Sequence, residues 1–145
     1  MTESYILYLQ TQLPVEAVLE RIFAPKSIAP IEGTDLLYAR GTVYLAHAQA
    51  LPQQMQDRYE TQFGFRPTIS IRYFPDGVSS VKTAFDILAE GIVRWLKDNE
   101  DNLLLSSNNK IDVIKRLDKK LTLTISHDFL AHGRIKLFDM PYSEG

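Results

Sequence analysis

Apolar positions along the chain switch between two spacings, and the switches mark its elements. Ser4 to Gln10 (SYILYLQ) is nearly continuous in β-branched, aromatic and aliphatic residues, as an interior strand covered on at least one face would be. Val15, Val18, Leu19, Ile22 and Phe23 then recur at threes and fours, predicting a short amphipathic helix over 14–24. Pro14 suits its first position and Pro25 stops it. Residues 25–34, with two prolines and a glycine, read as a loop. Leu36 to Arg40 and Thr42 to Ala48 read as two strands in a tight hairpin around Gly41. Residues 52–63 follow a proline and contain good helix formers but few apolar positions, which predicts a short surface helix. From Arg66 to Phe74 the period is two: Ile69, Ile71 and Tyr73 on one face, Ser70, Arg72 and Phe74 on the other.

The turn Pro75-Asp76-Gly77 leads to the strongest helix signal, residues 80–98, with Ser79 or Ser80 as its cap. Its stripe is Val81, Phe85, Leu88, Ile92, Trp95 and Leu96. Three strands follow at Leu103–Ser106, Ile111–Leu117 and Leu121–Ser126, joined by turns at Ser107-Asn108-Asn109 and Asp118-Lys119. The tail, 128–145, reads as irregular wrapping. Two good helices cannot cover both faces of a sheet this wide. The expected fold is therefore α+β: one domain over 1–145, a two-layer sandwich with a largely antiparallel sheet of six to seven strands and two main helices on one face. The alternate positions Ser70, Arg72, Thr122, Thr124 and Ser126 would then lie on the uncovered face.

Composition narrows the functional classes. Hydrophobic residues are 45% and charged residues 23% of 145, a profile that excludes a disordered chain. Cysteine is absent, which removes disulfides, thiolate metal sites and a cysteine nucleophile, and fits a cytoplasmic location. Net charge is −2, so bulk charge points to neither nucleic acid nor membrane, and no leader or membrane-spanning pattern is present. His47, His127 and His132 lack metal-ligand spacing and read as partly exposed residues at strand ends; no metal or cofactor is expected. Ser79-Ser80-Val81-Lys82 matches S-x-x-K, but the accompanying S-D-N and K-T-G elements are missing, so capping explains the serines better. No G-x-S-x-G, P-loop or G-x-G-x-x-G occurs. Lys110, Lys115, Arg116, Lys119 and Lys120 make the C-terminal meander basic, yet no aromatic lies among them for base stacking. They read as lysines guarding a sheet edge.

Two groups remain as candidate partner-binding residues. Tyr5, Tyr8, Tyr38, Tyr44 and Tyr73 fall on predicted strands, and tyrosine and arginine concentrate at interface centres. Strand parity groups Tyr8, Tyr44, Arg72 and Phe74 on one non-core face. Asp98, Glu100 and Asp101 sit at the C-terminal end of the long helix, where like charge opposes the helix dipole, so they are candidates to answer a basic partner.

Three segments carry a resemblance: Phe63 to Asp76 (FGFRPTISIRYFPD) before the long helix, Asp101-Asn102-Leu103-Leu104-Leu105 leading into a hairpin, and Met140-Pro141-Tyr142 at the close. With the opening strand and the Leu13–Leu19 helix (LPVEAVL), they resemble sitiin-type immunity proteins, cytoplasmic antidotes to bacterial swarming-inhibition toxins. Asp118-Lys119-Lys120 stands where that family has an acidic residue followed by glycine, and Phe129 where it has tryptophan. The resemblance implies a non-catalytic protein that binds and blocks a cognate toxin domain encoded beside it. The residues alone leave open two other readings, a small α+β enzyme or ligand-binding domain with a pocket between sheet and helices, and an adaptor within a secretion assembly.

Overall fold

A computed structural model describes residues 4–145; the first three residues, where the search for a leader begins, lie outside it. The described residues build one nine-stranded sheet with three α-helices. Its elements are β1 (Tyr5–Leu9), α1 (Val15–Phe23), β2 (Ser27–Pro30), β3 (Leu37–Arg40), β4 (Tyr44–Ala50), α2 (Gln53–Phe63), β5 (Ile69–Pro75), α3 (Val81–Asp98), β6 (Leu103–Ser107), β7 (Ile111–Leu117), β8 (Lys120–Leu123) and β9 (Ser143–Glu144). The strand order is β2-β3-β4-β5-β1-β6-β7-β8-β9, antiparallel at every pairing except β8 with β9.

The strand count corrects the expected six to seven. The segment read as loop at 25–34 contains β2, an edge strand that is mostly exposed and ends at Pro30, where a missing N–H is harmless. The tail supplies β9, two residues laid parallel against Thr122 and Leu123.

Period-two alternation sorts the sheet into two faces. Tyr5, Leu7 and Leu9 of β1, Ile69, Ile71 and Tyr73 of β5 and Ala46 and Ala48 of β4 are buried beneath α1 and α3. Those helices cross where Gly91 faces Ile22. A Cβ on Gly91 would sit 2.5 Å from the Ile22 carbonyl oxygen, so only glycine permits this approach. The long helix enters through a 3-10 turn, Val78–Ser80, and neither Ser80 nor the residue opening that turn gives a side-chain cap bond; the expected serine cap is not made. Phe129, Leu130 and Phe138 from the tail complete this core. Arg134, also buried, donates to the Phe129 carbonyl and to Asp86 Oδ1 at 3.0 Å, pinning the tail to α3. Burial works to raise the Asp86 carboxyl, but hydrogen bonds from Arg134 and Lys82 outweigh it and hold the group below the usual range.

The opposite face is not bare. Met55, Tyr59 and Phe63, spaced by four along α2, pack on Ile6, Tyr8 and Leu104 together with Leu51 and Phe65. The two-layer expectation is corrected: α2 covers the centre of the second face, because its three large side chains make one stripe despite an otherwise polar sequence. Tyr59 and Phe63 lie ring on ring, 5.0 Å apart and 4° from parallel.

Both last hairpins turn on consecutive left-handed residues, Asn108-Asn109 (φ 53° and 59°) and Asp118-Lys119 (51° and 70°). At Asp118-Lys119, between the paired Leu117 and Lys120, this is the twist-matched two-residue turn, made without glycine.

Candidate functional site

Cross-strand register lays out the second face row by row. One row runs Tyr38, His47, Arg72, Ile6 and Ser106 across β3, β4, β5, β1 and β6. A neighbouring row runs Gln49, Ser70, Tyr8, Leu104, Lys115 and Thr122. Arg40, Leu45 and Phe74 form a third. Helix α2 sits over Tyr8 and Leu104, leaving the β3–β4–β5 side open.

On that open side the His47 ring lies 5.5 Å from both the Tyr38 and Phe74 rings, forming an aromatic strip. His47 is thus a mid-strand residue, not the strand-end residue expected from its position in the sequence. Arg40 at the strip's edge pairs with Asp76 at 3.4 Å. Arg72 is exposed beside the strip and has no ion pair among the described residues.

Between the strip and α2 lies a recess of about 180 Å³, walled by Tyr8, Tyr59, His47, Ser70, Arg72 and Asn109 among others. Tyr8 is 2% exposed, and its hydroxyl donates to Asn109 Oδ1 at 2.9 Å. Burial first, then the neighbouring Tyr59 hydroxyl, push the Tyr8 phenol well above its ordinary value, with Arg72 pulling weakly the other way.

The four sheet residues singled out by parity do not all meet. Tyr8, Arg72 and Phe74 share the second face, although Tyr8 is roofed by α2 and joins the recess only as part of its wall. Tyr44 is corrected to the other face. It is 3% exposed, its ring stacks on Tyr73 at 5.2 Å and tilts against Phe23 at 5.3 Å, and its buried hydroxyl has no partner. Burial, with a smaller push from Glu20, raises its phenol to about 12. Alternation within β4 is readable in the sequence, but which of its faces matches that of β5 depends on the register between the strands. Tyr38, one of the five strand tyrosines, and His47 lie on this face outside the parity group; for His47 the run Ala46-His47-Ala48 carries a signal, small core residues flanking one large polar ring.

The acidic trio sits at a different corner. Asp98 is exposed, Glu100 pairs with Lys119 at 3.0 Å, and the Asp101 carbonyl accepts from Arg116 Nε at 2.8 Å. Arg116 is buried and donates from Nη1 to the Leu96 carbonyl at 2.8 Å, so it closes the C-terminus of α3. Burial lowers its pKa, and the charges of Asp101 and Glu100 work against that. Two of the three acids therefore have basic neighbours inside the chain itself.

No group of three His, Asp or Glu side chains among the described residues is arranged to hold a metal ion. No helix among them is long and apolar enough to cross a membrane. A family model described as SitI3-like matches residues 3–134. Comparison with curated proteins and with solved structures returns no match.

Proposed function

The chain belongs to the SitI3-like family, and we propose that it is an immunity protein that works in the cytoplasm by binding a cognate toxin domain and blocking its active site. The interface of this reading is the open part of the second sheet face, with Arg72 and Phe74 of the expected set joined by Tyr38 and His47. The observation that carries it is the juxtaposition of an aromatic strip and an unpaired arginine on a rigid sheet surface: side chains of these types anchor interfaces, and they cost little ordering entropy when the strands already hold them. With neighbouring strands about 4.8 Å apart, the open strands and the flank of α2 can supply part of the roughly 800 Å² per partner that a stable complex needs.

The enzyme or small-ligand reading expects a pocket between the sheet and its helices. Trp95, Phe85 and Phe129 fill the space between the sheet and α1–α3, and the recess on the other face is smaller than the roughly 300–1,000 Å³ of ordinary ligand pockets. Calorimetry against the toxin-like domain encoded next to this chain tests the proposal. A complex of micromolar affinity or tighter, with both partners keeping their free-state far-UV spectra, is expected. No complex at micromolar concentrations overturns it.

A further inference from the structure

We infer that the recess beside Arg72 receives an acidic side chain of the toxin, a carboxylate that docks bidentately on the guanidinium; this deepens the immunity reading above and rests on it. Among the described residues, the wall of the recess holds two basic groups, Arg72 and His47, and no carboxylate. Three other hollows differ: the one at the end of α3 has Asp98 and Glu100 beside its cations, the one below β1 has Asp101, and the one beside α1 has Glu16 and Glu20. A fourth, between α3 and the tail, has Lys97, Arg116 and Lys119 in its wall, but Lys97 pairs with Asp139 at 2.9 Å and Lys119 with Glu100 at 3.0 Å, so carboxylates of the chain itself already answer those cations. An incoming anion would meet like charge in those places and none here.

The neutral groups around Arg72 point the same way. Tyr8 already spends its hydroxyl proton on Asn109 Oδ1, which orients the Asn109 amide and leaves its N–H groups as donors. Tyr59 and Ser70 line the same wall, and a hydroxyl from either can donate to an incoming acceptor. A carboxylate accepts only, and it matches such a set; an ammonium or guanidinium from the partner would find Arg72 opposing it. Arg72 is held on the flat part of β5, paired with His47 of β4 and Ile6 of β1, so the backbone under the guanidinium is fixed by strands on both sides. Its fork suits a planar carboxylate better than a single ammonium would. The aromatic strip and the α2 flank shield the pair from water on two sides, which strengthens it relative to a fully exposed contact. At about 180 Å³ the recess is sized for one side chain, not for a cofactor-sized molecule.

Binding of this chain to the toxin domain encoded beside it, measured by calorimetry, tests the inference. Arg72→Gln is expected to weaken binding about 30-fold, and Arg72→Glu about 100-fold or more, both with the wild-type melting curve, because Arg72 is exposed and unpaired. Arg72→Lys is expected to keep part of the affinity. Arg21→Glu, the same charge change on the exposed side of α1 behind the other sheet face, is expected to change binding less than threefold. A panel of toxin variants, each with one surface Asp or Glu changed to Arg, then identifies the partner residue: one of them should weaken the wild-type complex yet bind Arg72→Glu at least tenfold better than the wild-type toxin does. Binding of Arg72→Glu within threefold of wild type overturns the inference and leaves the immunity reading standing. So does an equal loss with Arg21→Glu, or a panel in which no acid couples to position 72. Failure of the wild-type pair to bind removes both. Should Arg72→Glu not fold, the panel is read against Arg72→Gln: the acid that docks here loses affinity on reversal with the wild-type chain and changes less than threefold with Arg72→Gln, and equal losses with both chains for every acid overturn the inference.

Discussion

Tyr44 and Tyr73 stack on each other in the core beneath α1, yet their hydroxyls meet different fates. Tyr73 donates to the Ala84 carbonyl at 2.6 Å, whereas the Tyr44 hydroxyl is buried with no partner. A satisfied buried hydroxyl contributes about 1 kcal/mol, and an unsatisfied one costs a comparable amount. Tyr73→Phe is therefore expected to destabilise the chain by about 1 kcal/mol, while Tyr44→Phe leaves stability unchanged or raises it. Urea unfolding at neutral pH reads both; a clear loss with Tyr44→Phe would mean that its hydroxyl has a partner after all. Alkaline pH supplies a second readout. In the unfolded chain a tyrosine ionises near 10, but folded Tyr44 keeps its proton to about 12. Above pH 10 the unfolded state then binds fewer protons than the folded one, so stability is full below about 10 and is lost as pH rises toward about 12. Tyr73, raised by burial in the same direction, adds to that loss. The fall should be shallower in Tyr44→Phe.

At the scale of elements, the second face is organised by α2, and α2 is held chiefly by one ring. Phe63 lies 4.8 Å from Tyr8, 5.0 Å from Tyr59 and 6.0 Å from Phe65 by ring centroids. Truncating a buried phenylalanine costs about 3–5 kcal/mol, and here the loss should be local before it is global. Phe63→Ala is expected to raise hydrogen exchange throughout α2 ahead of β1 and β5, and to weaken toxin binding by withdrawing the Tyr59 wall of the recess. Unchanged protection in α2 would show that Arg66, which bonds Gln56, Asp57 and Glu60 from the far side, holds the helix without Phe63. The same helix marks how far the sequence could be read. Its existence follows from composition, and its docking was encoded in Met55, Tyr59 and Phe63, but three apolar residues in eleven look like a surface helix until the sheet beneath them is known to be wide. Longer signals translated directly: α3 and the alternation of β5 stand where their periods put them, because many buried positions agree on one phase. β2 and β9 were invisible for the opposite reason, being short edge strands defined by backbone pairing with a neighbour and hardly by side-chain burial.

For the whole molecule, two surfaces compete as the proposed toxin-binding site, and their internal bonding separates them. The open sheet face holds Arg72, a cation with no ion pair among the described residues, while the corner at Asp98, Glu100 and Asp101 is tied into the fold through Lys119 and the buried Arg116. Arg116 already has one buried nitrogen, Nη2, without a hydrogen-bond partner, so it depends on the nearby carboxylates for charge compensation. Neutralising the corner should accordingly disturb stability more than recognition. Asp101→Asn is expected to cost about 1 kcal/mol, the ordinary size for a single substitution that weakens an ionic environment, and Asp98→Asn, on an exposed side chain, much less. The combined variant Asp98→Asn, Glu100→Gln, Asp101→Asn, assayed well below its melting temperature, should bind the toxin within about threefold of wild type. If these acids instead enter a basic toxin cleft, the same variant would lose affinity at hot-spot scale, about 2 kcal/mol or roughly 30-fold, with an on-rate that no longer falls as salt rises. Measuring melting and binding on the same variant distinguishes the two, because a structural corner moves the melting curve and an inserted one moves the dissociation constant.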